Sequence, residues 1–239
     1  MISRAGPPVP YRFSRANTGP ERTQMARQHP LDPGVTRRAV MAAVHELDGV
    51  GVREALLECL LVHGVDVTVA EVVMPVLGEV GEGWERGELG VLHEHFVSSS
   101  FRGVLGELRR PLPAQLSRTV VLACPPHELH DLPLELFGAM LHARSWRVVS
   151  LGANTPMTAV ADAVRLLDAD ACVLAGVRRS AFESRMPSLT RLGRRAPVFL
   201  AGQGALRLAE PLPMTVVLPA DLRAAADLVD EVARESAAG

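Results

Sequence analysis

A change of hydrophobic grammar near residue 118 constrains this chain more than any other feature. Beyond it, short unbroken apolar runs alternate with helix-length segments. The runs are "TVVLAC" (119–124), "WRVVSLG" (146–152), "ADACVLAGV" (169–177), "APVFLAG" (196–202) and "MTVVL" (214–218). Between and after them lie "LPLELFGAMLHARS", "PMTAVADAVRLLD", "SAFESRMPSLTRLG", which Pro187 interrupts, and "DLRAAADLVDEVARES". Strands that are apolar without alternation are buried on both faces, which happens when helices cover both sides of a parallel sheet. Residues 117–239 are therefore expected to form a doubly wound, parallel, five-stranded Rossmann-like (flavodoxin-like) domain.

The preceding stretch follows a different period. From 33 to 110 the apolar residues recur at helical spacing in "RRAVMAAVHEL", "VREALLECLLVHG", "TVAEVVMPVLGEVGEGW" and "ELGVLHEHFVSSSFRGVLGELRR". Gly64 ends the second segment as a helix stop, and Pro75 is expected to kink the third. Four helices with short connections predict an antiparallel four-helix bundle over 31–112. The fold class is thus α/β with an N-terminal all-α domain. "RRPLPAQLSR" (109–118) is the expected linker. Residues 1–30, punctuated by Pro7, Pro8, Pro10, Pro20 and Pro30, are expected to be a flexible tail, because they offer too little apolar surface to offset ordering.

Composition excludes little but points away from charged partners. A net charge of −2 with 22% charged residues provides no field that would draw nucleic acid or an anionic membrane. No apolar run of about 18 residues stands out as a membrane span, and "MISRAGPPVPYRFSR" lacks the apolar centre of a secretory signal. The expectation is a cytoplasmic protein. Cys59, Cys124 and Cys172 sit in or beside apolar runs without C-x-x-C spacing, so they read as reduced core residues.

The chemistry concentrates in "CPPHELHDLP" (124–133), which follows the first strand of the sheet domain. Ligands of open parallel sheets bind beyond the carboxyl ends of the strands, so this loop is the default site. The G-x-G-x-x-G turn of dinucleotide-binding domains is absent, which argues against NAD or FAD held in the ordinary way. A zinc site from Cys124, His127 and His130, and a general acid–base pair from Glu128 and His130, are the two readings the residue types alone allow.

Two motifs together carry a resemblance. Glu128-x-His130-x-x-Pro133 resembles the Asp/Glu-x-His-x-x-Gly motif of cobalamin-binding domains, in which the histidine ligates cobalt from below. In the helical half, Trp84, nine residues and then Glu94-His95 resemble the Trp…Glu-His motif of the light-sensing cobalamin-binding regulators related to CarH. Order, domain type and spacing agree over 35–239. A neutral imidazole is a good cobalt ligand, made more basic when a carboxylate accepts its other N–H. Glu128 is only two residues from His130, so Asp131 or a later residue is the alternative carboxylate.

The resemblance implies the rest of the site. His130 is the lower axial ligand of cobalamin, with Glu128, Asp131 and Leu132 around it. The nucleotide tail passes Ala175-Gly176-Val177, where the family has Ser-x-Leu, and Ala201-Gly202, where it has Gly-Gly. The cofactor is adenosylcobalamin or another cobalamin form, with the adenosyl group under Trp84 and Glu94, and His95 is the candidate upper ligand after photolysis. Pro133 replaces the motif glycine at the first turn of a helix, where a missing N–H costs little. Ala175 removes a hydroxyl. Read separately, Trp84 fits the largest core side chain of the bundle and Glu94-His95 an exterior polar pair.

By this resemblance the chain is a sensor or binding protein without catalytic residues. Light breaks the cobalt–carbon bond, and loss of a packed group shifts the helices. Because the helices begin within about 35 residues of Met1, direct DNA binding is not expected, and output passes through a regulatory protein partner or a homo-oligomer. Some related photoreceptors pair the corrin with a linear tetrapyrrole, for which no attachment residue is readable here. A corrinoid carrier for methyl transfer, and a domain that has lost the cofactor and serves as an interaction module, are the alternative readings. Trp84 with Glu94-His95 separates the sensor from the carrier.

Overall fold

The structure, a computed structural model, describes residues 32–108 and 118–238. The expected tail, and the expected linker apart from Arg118, lie outside the described residues. The described residues lie in one compact unit.

The helical half starts where its capping residues place it. Helix α1 (Pro33–His45) has Pro33 in its first turn and the Asp32 carboxylate accepting from the Gly34 N–H at 2.8 Å. Asp48 does the same for α2 (Gly49–Val67), accepting from the Gly51 N–H at 3.0 Å. Gly64 breaks α2, as its place in the sequence suggests: φ is 77° and ψ −178°, conformations open to glycine. The chain then continues through a π-helical segment (Thr68–Val73) into α3 (Met74–Glu85). Here the expected kink takes another form. A proline ring crowds the carbonyl four residues back, and the wider π turn just ahead of Pro75 relieves that crowding, with the Met74 N–H reaching back to the Val69 carbonyl. Helix α4 (Val91–Leu108) buries Val97, Phe101, Val104 and Leu108, one stripe at helical spacing.

The 49–85 stretch is long and apolar enough to cross a membrane by length and composition, a feature the sequence reading did not pick out. In this fold Gly64 interrupts it, and Val52, Leu56, Cys59, Val69, Val72, Val76 and Val80 are buried within the protein.

The sheet has the order β2-β1-β3-β4-β5, every neighbour parallel. Its strands are β1 (Arg118–Ala123), β2 (Trp146–Ser150), β3 (Ala171–Ala175), β4 (Val198–Ala201) and β5 (Val216–Val217). Helices α5 (Leu132–Ala143), α6 (Met157–Leu167), α7 (Ser180–Glu183), α8 (Met186–Gly193), α9 (Gln203–Leu206) and α10 (Leu222–Ala238) connect and follow them. The two-residue strand period divides β1 between two cores. Val120 and Leu122 face the core of α5 and α10, while Val121 and Ala123 face that of α6, α7 and α8. The first core is continuous with the helical half: Val97, Phe101 and Val104 belong to the same cluster as Leu132, Phe137 and Met140. Arg144 adds a polar tie, pairing with Asp66 at 2.7 Å just beyond the Gly64 break.

Candidate functional site

With β1 flanked by β2 on one side and β3 on the other, the strand order reverses direction between β1 and β3. The loops leaving these two strands diverge there and open a crevice. The loop after β1 begins at Cys124, whose N–H donates to the Gly152 carbonyl at 2.9 Å and whose carbonyl accepts from Thr155 at 2.8 Å. His127 then takes a left-handed backbone, φ 70°, which turns the chain so that Glu128 points inward and Leu129 and His130 outward.

Glu128 is the polar centre of this loop. It is only 5% exposed and shares its carboxylate between two loops. Oε1 lies 2.6 Å from His130 Nδ1 and accepts from the His130 backbone N–H at 3.1 Å; Oε2 accepts from the Val177 N–H at 2.7 Å. Burial alone would push this carboxyl up. The N–H of Val177 and the contacts from His130 outweigh it and hold the group below its ordinary range. A buried carboxylate on Nδ1 fixes that nitrogen as the protonated one and leaves Nε2 with a free lone pair pointing away. The ring itself is 71% exposed. Glu128 therefore reaches His130. Asp131 serves elsewhere, pairing with Arg102 of α4 at 2.5 Å and occupying the cap position of α5.

Two concavities meet at His130. One, of about 250 Å³, is walled by Ala175, Gly176 and Val177 at the end of β3, Ala201 and Gly202 at the end of β4, and the apolar side chains of Leu134, Phe137, Leu218 and Leu222. The five tail residues expected from the sequence thus line one cavity together with the histidine. The glycines here serve the chain's own packing: a Cβ on Gly202, where φ is 85°, would stand 2.8 Å from the Gly176 carbonyl oxygen. The other concavity, of about 210 Å³, lies under the helical half and brings Glu94, Ser98 and Arg102 of α4 to His130, Asp131 and Leu132.

The remaining upper-face residues stand apart. Trp84 is 54% exposed, so it is not the core side chain of the helical region, and neither it nor His95 lines either concavity. Glu94 accepts from Ser98 Oγ at 3.3 Å, with His95 Nδ1 at 3.6 Å from its other oxygen. The zinc reading falls on geometry. Cys124 is buried and its thiol is pushed up to about 12 by desolvation, with Asp131, Glu128 and Glu135 adding to the shift. No cluster of three or more His, Cys, Asp or Glu able to hold a metal ion occurs among the described residues. Sequence reasoning also missed Asn154 and Arg185, which grip the loop from its neighbours.

A single outward imidazole backed by a carboxylate suits a metal whose remaining ligands come from a macrocycle, and a mainly apolar cavity beside it suits an aromatic tail. A flavodoxin-like sheet carrying such a loop at its switch point, beneath a helical region, defines the class of corrinoid-binding α/β proteins. The comparisons with known proteins agree. Residues 36–109 match the B12 binding domain family. The chain is 35% identical over 175 residues to the HTH-type transcriptional repressor CarH of Myxococcus xanthus, covering 71% of this chain and 58% of the repressor's length. It is 29% identical over 209 residues to the HTH-type transcriptional repressor CarA of the same organism, covering 86% of this chain and 69% of that one. Among solved structures it is similar in fold to the monomethylamine corrinoid protein of Methanosarcina barkeri, with a TM-score of 0.67, 14% identity, and 84% and 100% of the two chains covered. The chain thus carries a match to the B12 binding domain over 36–109 and is similar to the two repressors, of the first of which it spans less than two thirds.

Proposed function

We propose that this chain is a cobalamin-based light sensor that holds adenosylcobalamin between its helical and α/β halves. The single observation that carries the reading is the Glu128–His130 pair at 2.6 Å, set between an apolar cavity and a cleft that Glu94 enters from α4. When bound, the cofactor supplies a cobalt–carbon bond that visible light breaks. The residues do the rest. His130 offers Nε2 from below, and Glu128 holds the proton on Nδ1. Ala175, Gly176, Val177, Ala201 and Gly202 receive the nucleotide tail. Trp84 and Glu94 cover the upper ligand, and their exposure in this structure leaves them free to pack against it. His95, one residue from Glu94 and itself exposed, would be the side chain to replace that ligand once it is lost. The accompanying movement of α3 and α4 is the output, read by a protein partner or by self-association.

The second reading is a corrinoid carrier for methyl transfer, favoured by the fold shared with the monomethylamine corrinoid protein. Light separates the two. Protein loaded with adenosylcobalamin in darkness is expected to change its visible spectrum on illumination and, with it, its hydrodynamic size or its partner. Binding without any change of size or of helical exposure after illumination would reject the sensor and leave the carrier.

A further inference from the structure

We infer that Asn154 and Arg185, neither of which faces the cofactor cavity, are positioning residues that aim the Glu128–His130 pair; the inference rests on the cobalamin reading for its consequence but not for its geometry. The loop from Pro126 to Glu128 contains an energetically disfavoured step, since His127 is a non-glycine residue with φ 70°. Such a conformation persists only where its surroundings impose it. Asn154 imposes it from the loop after β2. Its Oδ1 accepts from the His127 N–H at 2.8 Å, and its own N–H donates to the Glu128 carbonyl at 2.8 Å. One residue therefore grips both sides of the peptide that turns Glu128 inward. Asn154 is itself left-handed, φ 51°, a conformation asparagine tolerates better than most side chains.

Arg185 acts from the other flank. Its Nη2 donates to the Pro126 carbonyl at 2.9 Å, while its Nη1 donates to the Ser180 and Ala181 carbonyls and to Ser184 Oγ. A guanidinium satisfied by carbonyl and hydroxyl oxygens at the end of α7 thus ties the segment after β3 to the loop after β1. That same segment supplies the Val177 N–H to Glu128 Oε2. The consequence is specific. With the loop clamped, Glu128 Oε1 meets His130 Nδ1 and one tautomer predominates, with Nε2 bare. Without the clamp, His127 relaxes to negative φ, Glu128 rotates off the ring, and both tautomers appear.

The test uses the full chain without cofactor, labelled with ¹⁵N-histidine, at a pH of about 8, above the ordinary imidazole range. His130 ring signals are assigned through a His130→Gln variant. Wild type is expected to show Nδ1 protonated and Nε2 bare. Asn154→Gly keeps the left-handed backbone and the N–H but removes Oδ1, and is expected to give a mixture of tautomers. Asn154→Asp, which retains the acceptor, restores the single tautomer. So does adding His127→Gly to Asn154→Gly, because glycine takes φ 70° unaided. Arg185→Met is expected to shift the same signals. In parallel, adenosylcobalamin affinity falls about tenfold in Asn154→Gly and returns in the double variant. A wild-type tautomer retained in both Asn154→Gly and Arg185→Met, or a double variant that fails to recover, overturns the inference. Wild-type protein that binds no adenosylcobalamin overturns the proposed function instead, while the tautomer result still decides the positioning role.

Discussion

The loop after β1 and the helical surface that carries Trp84, Glu94 and His95 are built in opposite ways. Below, the polar groups of Pro126 through Glu128 are held by Arg185, Asn154 and Val177, and the carboxylate that orients His130 is buried. Above, Trp84, Glu94 and His95 are all exposed, and no hydrogen bond or ion pair among the described residues ties them to the sheet half. Arg102 of α4 ties to Asp131 across the cleft. A ligand meeting these two surfaces finds one already organised and one it must organise itself. Organisation in advance favours binding, because the ordering cost falls on folding. Organisation by the ligand favours response, because whatever the ligand orders is released when the ligand goes. Under the proposed function, the loop after β1 would hold the cofactor in every state and the helical surface would report which state it is in.

That contrast can be broken in four places. The largest effect is expected for His130→Ala, which removes the proposed metal ligand: cobalamin affinity should fall by about 100-fold, at least what loss of a ligand's supporting partner costs, as measured by equilibrium titration. Glu128→Ala should weaken affinity by about tenfold and also lower stability by about 1 kcal/mol in urea unfolding, because the Val177 N–H loses its acceptor at a partly buried position. Arg102→Ala should change stability by less than about 1 kcal/mol, since its side chain is half exposed, and should increase amide exchange in α4. The smallest change in stability, within about 0.5 kcal/mol, is expected for Trp84→Ala. That variant should nonetheless lose most of the light-dependent change in size while leaving the coordination by His130 unchanged. A Trp84→Ala protein that unfolds would erase the distinction between the two faces.

Much of this was legible in the sequence because it is written in apolar periodicity. The five strands could be read from unbroken runs such as "TVVLAC" and "ADACVLAGV", whose burial on both faces leaves no alternation to confuse them with half-exposed strands. "MTVVL" was the least legible, and only Val216 and Val217 pair in the sheet, at its edge. Short helix α9 carries too few residues for a period to show. The π segment ahead of Pro75 likewise has no signature of its own, since only the crowding by the proline ring demands it. At the site, the spacing of Glu128 and His130 gave the pair but not the reach. Whether a carboxylate two residues away meets an imidazole depends on the left-handed turn at His127 and on a backbone N–H from Val177. Backbone donors leave no trace in the identity of a residue. Asn154 and Arg185 escaped for the same reason, since they act on the peptide groups of Pro126, His127 and Glu128 from other loops.

The most direct test is electron paramagnetic resonance of the protein carrying cob(II)alamin, prepared with ¹⁴N- and then ¹⁵N-histidine. Coordination by His130 predicts that the axial nitrogen splitting changes from a triplet to a doublet with the label, and that the label loses its effect in His130→Ala. A splitting indifferent to the histidine isotope in the wild-type protein would mean that the imidazole at position 130 does not hold the metal.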